Sequence, residues 1–130
     1  MPEAKLMPYA SHYLTGKLFG RPLAELRIAM ARLGLARRDD AREPEDHIAS
    51  VLEVMAGLIL GSFGDAPASL WAQRRFFEAH VWTWTPAFFG DLERVGEGGF
   101  YARAGSFGRG FIEVERQAFE MLGAEPSPHP

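Results

Sequence analysis

The chain has 130 residues, of which 47% are hydrophobic and 24% charged, proportions typical of one globular domain. Its formal net charge of −3 argues against a general nucleic-acid binder, which usually carries a basic stripe. The absence of cysteine excludes disulfides, thiolate metal ligands and thiol catalysis, and it fits a reducing cytoplasm. No apolar signal region follows the first residues, and the apolar run 51–63 is too short to span a bilayer, so no membrane insertion is predicted.

The first third of the chain predicts two helices and a charged connector. A short helix is expected over Tyr9–Leu14, and a longer one over Pro22–Leu33 with Gly34 just beyond its end. The mixed-charge segment Arg37–Arg42 is predicted to be a hinge. Residues 1–42 are therefore interpreted as a lead-in and the end of an N-terminal helical part.

A central helix is predicted to begin at Pro44, with Glu45 and Asp46 in its first turn against the positive end of the helix dipole. Apolar residues then recur at helical spacing, and Glu53 is the one charged side chain between Ile48 and Gly64. This helix is expected to be enclosed on most sides and to end near Gly61 or Gly64.

The remaining chain predicts three further helices. One is capped by Asp65 and runs to about His80, one runs from Pro86 to Val95, and one runs from Phe100 to Leu122. The apolar face of the last helix is predicted to contain Tyr101, Phe107, Phe111, Val114, Ala118 and Met121. No strand pattern is present, so the predicted fold is an all-α bundle of five to six helices, with a core at 43–123 and a disordered tail at 124–130.

The adjacent pair Asp46-His47 is the first candidate for chemistry, because a carboxylate can orient and tune an imidazole. The alternative is a helix start rich in acids, since neighbouring helical residues point about 100° apart. A metal site built from Asp46, His47, Glu53, Glu78 and His80 is disfavoured, because their spacing turns them to different helix faces. No serine has the context of a nucleophile elbow, so no catalytic residue, metal or cofactor is predicted.

Aromatic residues are dense in the second half of the chain, and they allow two interpretations. Most of them are expected to fill the core of a small helical domain. The rim of that core could also form an apolar groove for a peptide. The series comprises Phe76, Phe77, Trp82, Trp84, Phe88, Phe89, Phe100 and Tyr101.

Several motifs together resemble the TorD/DmsD/NarJ family of molybdoenzyme maturation chaperones. Residues 8–13 (Pro-Tyr-Ala-Ser-His-Tyr) are similar to its Pro-aromatic-x-Ser-x-Tyr segment, and residues 43–47 match its Glu-Pro-x-Asp-His signature. Residues 76–88 resemble its Phe-x-x-x-His-hydrophobic-x-x-Trp segment, and Phe100-Tyr101 fits the start of its last helix. Within the family, the chain looks most like the chaperones associated with formate dehydrogenase.

The resemblance implies a non-enzymatic, cytoplasmic role and a TorD-like fold. Such chaperones bind the twin-arginine signal peptide, and in some cases the body, of an immature molybdoenzyme until its cofactor is inserted and export can begin. The peptide-binding residues implied by the family are Tyr9, Ser11, Tyr13, Asp46 and His47, and Glu43 is added because its carboxylate could pair with the arginine pair. Glu45 and Glu53 could add charge against the arginine pair, and Trp82 or Trp84 could line a groove for the apolar part of the signal.

Family members are usually longer, with several helices before the Pro-aromatic-x-Ser segment, so this chain is expected to lack them. Missing helices would expose apolar surface, which favours a homodimer with exchange of elements about the Arg37–Arg42 hinge. Two other functions stay open: a helical adaptor without signal-peptide specificity, and a metal-dependent helical hydrolase. The client enzyme, nucleotide binding and the oligomeric state are left open by the sequence.

Overall fold

The computed structural model describes residues 6–35, 43–64, 66–95 and 98–126, and within these ranges the prediction of an all-α fold is confirmed. An isolated antiparallel bridge joins Tyr9 to His47, and the described residues contain no strand pairing longer than this bridge. The helices are α1 (Ala10–Thr15), α2 (Arg21–Arg32), α3 (Ile48–Leu60), α4 (Leu70–Phe76), α5 (Thr85–Val95) and α6 (Phe100–Glu120), with a π-helical turn at Phe77–Val81 directly after α4.

The two N-terminal helices lie close to their predicted positions. α1 ends at Gly16, whose φ of +79° is a left-handed conformation that glycine adopts without strain. α2 begins after Gly20 with a proline in its first turn and stops before Gly34, which also has positive φ. The predicted hinge at Arg37–Arg42 lies outside the described residues.

The central helix starts later than predicted. Pro44, Glu45 and Asp46 do not form its first turn, because α3 begins at Ile48 and His47 is its N-cap. The Nδ1 atom of His47 accepts a hydrogen bond from the Ala49 N–H at 3.1 Å, so this imidazole caps the helix, and the predicted acidic first turn lies before it. α3 is also less enclosed than predicted, since Leu60 is 74% exposed.

The next helix also begins later than predicted and contains an irregularity. Asp65 lies outside the described residues, and the N-cap of α4 is Ser69, whose hydroxyl accepts from the Ala72 N–H at 3.1 Å. The helix then widens into the π-helical turn, where the Trp82 N–H donates to the Phe77 carbonyl at 2.8 Å. The predicted break before Pro86 is confirmed, because α5 begins at Thr85.

The last two helices form a closely packed antiparallel pair. Gly105 and Gly108 are buried against α5, and a Cβ atom at Gly105 would lie 2.6 Å from the Phe89 carbonyl oxygen. The prediction of the apolar face of α6 was wrong. The buried residues of this helix are Gly105, Gly108, Ile112 and Phe119. The residues assigned to that face are exposed, and they are Tyr101, Phe107, Phe111, Val114, Ala118 and Met121.

The core is formed by residues of all six described α-helices and the π-helical turn. Its largest fully buried side chain is Trp84, whose indole N–H donates to the His80 carbonyl at 2.8 Å. The prediction of an aromatic core is thus confirmed for Phe76, Phe77, Trp84 and Phe88, whereas Phe100 and Tyr101 are exposed. Other core residues are Leu26, Val51, Val54, Met55, Leu58, Val81, Ile112 and Phe119.

Candidate functional site

The Glu-Pro-x-Asp-His signature lies against the start of α1 and is joined to it through the backbone. The Ala10 N–H donates to the Asp46 carbonyl at 3.0 Å, and the Ile48 N–H donates to the Pro8 carbonyl at 2.8 Å. The rings of Tyr9 and His47 meet edge to face with their centroids 5.2 Å apart. The two family motifs, separated in sequence, therefore form one structural unit.

Asp46 is buried in this unit and acts as a cap for α1. Tyr9, the N-cap residue of α1, makes no side-chain capping bond. Instead the Asp46 Oδ2 atom accepts a hydrogen bond from the Ser11 N–H at 2.8 Å. Asp46 is 1% exposed and Ser11 is 0% exposed, and the Ser11 hydroxyl has no hydrogen-bond partner among the residues that the structure describes. Neither side chain is open to a peptide at the surface in this conformation.

Glu45 links the signature to α2. The Arg27 Nε and Nη2 atoms donate to the two Glu45 carboxylate oxygens at 2.9 and 3.1 Å, a bidentate pair. The Glu45 side chain is 9% exposed, whereas that of Arg27 is 43% exposed. The hydrogen bond to Glu45 raises the pKa of the Arg27 guanidinium above its ordinary value. This carboxylate therefore stabilises the fold.

Glu43, Tyr9 and His47 form the accessible part of the unit, which we call the signature patch. Glu43 is exposed, and the Tyr9 hydroxyl donates a hydrogen bond to its Oε2 atom. That bond, with burial and the negative charges of Glu43 and Asp46, raises the pKa of Tyr9 to about 12. The signature patch thus offers a surface carboxylate beside an aromatic ring and an imidazole, on a backbone fixed by α1 and α3.

Tyr13 is directed away from the signature patch, toward α5. Its hydroxyl donates to the Asp91 Oδ2 atom at 2.7 Å, and its ring lies 5.8 Å from that of Trp84 and 6.2 Å from that of Phe88. Burial, with the Asp91 hydrogen bond, raises the Tyr13 pKa. Of the six predicted peptide-binding residues, the structure brings together Tyr9, Ser11, Glu43, Asp46 and His47, while Tyr13 joins the core.

A second surface feature, which the sequence did not locate, is an apolar groove of about 310 Å³ between α3 and α6. Neither Trp82 nor Trp84 lines it: Trp84 is 1% exposed, and Trp82 stacks under the Arg116 guanidinium at 5.1 Å. We call this the α3–α6 groove, and it is lined by Leu52, Met55, Ala56, Ile59, Phe77, Val81, Phe89, Ala104, Phe107, Gly108, Phe111, Ile112 and Glu115. Exposed aromatics on α6 were the available signal, but the sequence pattern assigned them to the core.

The geometry also bears on metal binding and membrane insertion. Within residues 6–35, 43–64, 66–95 and 98–126, no three His, Asp or Glu side chains are grouped as a metal site requires. In those same ranges, every helix is too short or too polar to cross a bilayer.

Comparisons with known proteins cover most of the chain. Residues 2–90 match the family model of the nitrate reductase delta subunit. The chain is 32% identical to the chaperone protein TorD of Vibrio atlanticus, over 85% of this chain and 55% of that protein. It is 30% identical to TorD of Vibrio cholerae, over 92% of this chain and 57% of that protein. It is also 30% identical to TorD of Photobacterium profundum, over 95% of this chain and 60% of that protein.

The chain spans a little over half the length of these curated relatives. No solved structure matches it. The family match covers the signature, α1 to α4 and about half of α5, and the relatives extend the similarity into α6. The chain therefore belongs to the nitrate reductase delta subunit family, the NarJ/TorD family of molybdoenzyme maturation chaperones.

Proposed function

We propose that this chain acts in the cytoplasm as a chaperone that binds the precursor of a molybdopterin-dependent oxidoreductase before export. Membership of the family and the TorD name of the relatives support the class of client. The finer parts of the proposal are binding of a twin-arginine signal peptide and a formate dehydrogenase as the client. Both come from the resemblance of the motifs and are the parts to be tested.

The observation that carries the proposal is the signature patch. Glu43 presents a carboxylate at the surface, and a carboxylate accepts two parallel hydrogen bonds from an arginine side chain. Tyr9 and His47 add aromatic surface beside that charge, and a guanidinium stacks well on such rings. These three residues are the direct contacts in the proposal. Asp46 and Ser11 act behind them by fixing the start of α1.

Isothermal titration with a twin-arginine signal peptide of a formate dehydrogenase tests this proposal. We expect micromolar binding that weakens with a twin-lysine peptide, because lysine cannot form the bidentate contact. The Glu43→Gln variant should weaken binding as well. Glu53→Gln is the matched control, because Glu53 is an exposed carboxylate on α3 outside the signature patch, and the proposal, unlike the sequence interpretation, gives it no contact with the arginine pair. Equal binding of the two peptides, or equal binding by Glu43→Gln and Glu53→Gln, would contradict the proposal.

A helical adaptor role is the second candidate, and the exposed apolar residues of α6 favour it. Phe107 is 76% exposed and Val114 is 62% exposed, which is unusual for large apolar side chains on one helix. An adaptor without signal-peptide specificity would bind an unrelated apolar helix as tightly as the signal peptide. The same titration with such a helix therefore separates the two functions.

A further inference from the structure

A single carboxylate on α6 lies between an apolar groove and a second depression of mixed lining that includes four apolar residues. Among the described residues that line the α3–α6 groove, Glu115 is the one with a charged side chain. Glu115 also borders a depression of about 230 Å³ between α4 and α6. We call this the α4–α6 depression, and its other lining residues are Leu70, Gln73, Ala118, Phe119 and Leu122.

Glu115 has no ion-pair partner among the described residues. Two other acidic residues of α6, Glu113 and Glu120, do have an ion-pair partner, because both contact Arg116. Those two carboxylates share the Arg116 guanidinium, whereas Glu115 is left, within the described part of the chain, as an unpaired negative charge beside apolar surface. A carboxylate in such a place has most to gain from a cation supplied by another molecule.

We propose that this surface binds an apolar segment of the client in which one lysine or arginine lies between two apolar groups. The basic residue would pair with Glu115, while the apolar groups enter the α3–α6 groove and the α4–α6 depression. This inference rests on the proposed function, because it takes the client polypeptide as the ligand, and it adds the chemistry of a second contact.

The helix sets the spacing of the three subsites. Ile112 lines the groove three residues before Glu115, and Phe119 lines the depression four residues after it. At 1.5 Å per residue, Ile112 lies about 4.5 Å before Glu115 along the helix axis and Phe119 lies about 6 Å after it. A helical ligand matches this spacing with leucines one turn before and one turn after its basic residue. A twin-arginine signal has a different order, with its basic pair ahead of one apolar region.

Fluorescence anisotropy with a labelled fifteen-residue peptide tests the inference. The probe has leucines three and four positions on each side of a central lysine, in a background of alanine and glutamine. Matched peptides replace the lysine by glutamine or move it to the N-terminus. We expect the central-lysine probe to bind wild-type protein most tightly, with about a fivefold loss for either matched peptide, as a partly exposed ion pair allows.

Protein variants then assign the contact to Glu115. Glu115→Gln should lower the affinity for the central-lysine probe by the same factor and leave the affinity for the glutamine peptide unchanged. Glu53→Gln should bind both peptides as wild type does. Glu115→Lys should prefer a probe with central glutamate. Ala56→Trp, which fills the α3–α6 groove, should weaken every probe by at least tenfold, with helix content checked by circular dichroism.

Three results would overturn the inference. They are equal affinity of wild type and Glu115→Gln for the central-lysine probe, unchanged binding by folded Ala56→Trp, and a dimer in light scattering that excludes the probe from the groove. Failure of the proposed function gives a different pattern. In that case the twin-arginine peptide does not bind, and the central-lysine probe still depends on Glu115.

Discussion

Replacing Asp46 by alanine tests whether the signature aspartate holds the fold together. The change removes the acceptor of the Ser11 N–H bond, which is 2.8 Å long and lies where both residues are almost fully buried. A hydrogen bond to a charged group contributes about 1.5–3 kcal/mol, and part of that is offset by the cost of burying the carboxylate. We therefore expect a loss of about 2 kcal/mol in the free energy of unfolding.

In a domain of this size that loss corresponds to a fall in Tm of roughly 6–10 °C. Asp46→Asn keeps an acceptor oxygen and loses the charge, so about 1 kcal/mol should be lost. Urea unfolding followed by far-ultraviolet circular dichroism measures both values. Glu53→Ala, an exposed change on α3, is the control and should stay within about 0.5 kcal/mol of wild type.

A free energy of unfolding for Asp46→Ala within about 0.5 kcal/mol of wild type would refute the capping role. The Asp46→Asn variant, which is expected to remain folded, separates a direct contact between Asp46 and the peptide from an effect of Asp46 on the fold. If this variant retains the affinity of wild type for the twin-arginine peptide, Asp46 acts through the fold. If it loses as much affinity as Glu43→Gln while keeping its stability, Asp46 contacts the peptide directly.

Three further outcomes are expected from the structure. Gly105→Ala should lose at least about 2 kcal/mol in urea unfolding, because its Cβ would overlap the backbone of α5, whereas Gly110→Ala meets no atom within 4 Å and should gain about 0.5–1 kcal/mol. Arg27→Ala should lose about 2 kcal/mol in thermal unfolding, because it removes the two hydrogen bonds to the buried Glu45 carboxylate, and Arg27→Lys should restore only part of this loss. The Tyr9 pKa is about 12 in the folded chain and 10.0 for an unperturbed tyrosine, so the stabilisation from the protonated phenol is complete below pH 10 and is lost between pH 10 and 12. The urea midpoint of Tyr9→Phe should therefore fall less than that of wild type over this pH range. Equal falls of the midpoint in the two proteins would contradict this.

The positions of most helices could be predicted because their signals are local. Gly16, Gly34 and the residues around Pro86 end or begin helices through their own backbone preferences. The start of α3 was misjudged because three consecutive residues, Pro44 to Asp46, also suit a turn. Which of the two forms depends on contacts with α1 and α2 that lie far away in sequence.

The candidate site could be predicted by position but not by the role of each residue. Three acids stand together in the sequence, and nothing local indicates that Glu45 and Asp46 are satisfied by partners 18 and 35 residues away. The buried face of α6 was missed for a related reason. Gly105 and Gly108 carry no hydrophobic side chain, so apolar periodicity does not mark the residues that allow α5 to approach.

The capping of α1 by Asp46 has a consequence for motion on the time scale of hydrogen exchange. A six-residue helix is not stable alone, and closing a chain of 35 residues costs about 3 kcal/mol of entropy. α1 is therefore a natural place for local opening, and the Ser11 amide reports each opening because Asp46 protects it directly. A client that contacts Tyr9 and His47 together would hold α1 closed, and it would slow exchange at Ser11 without touching that residue.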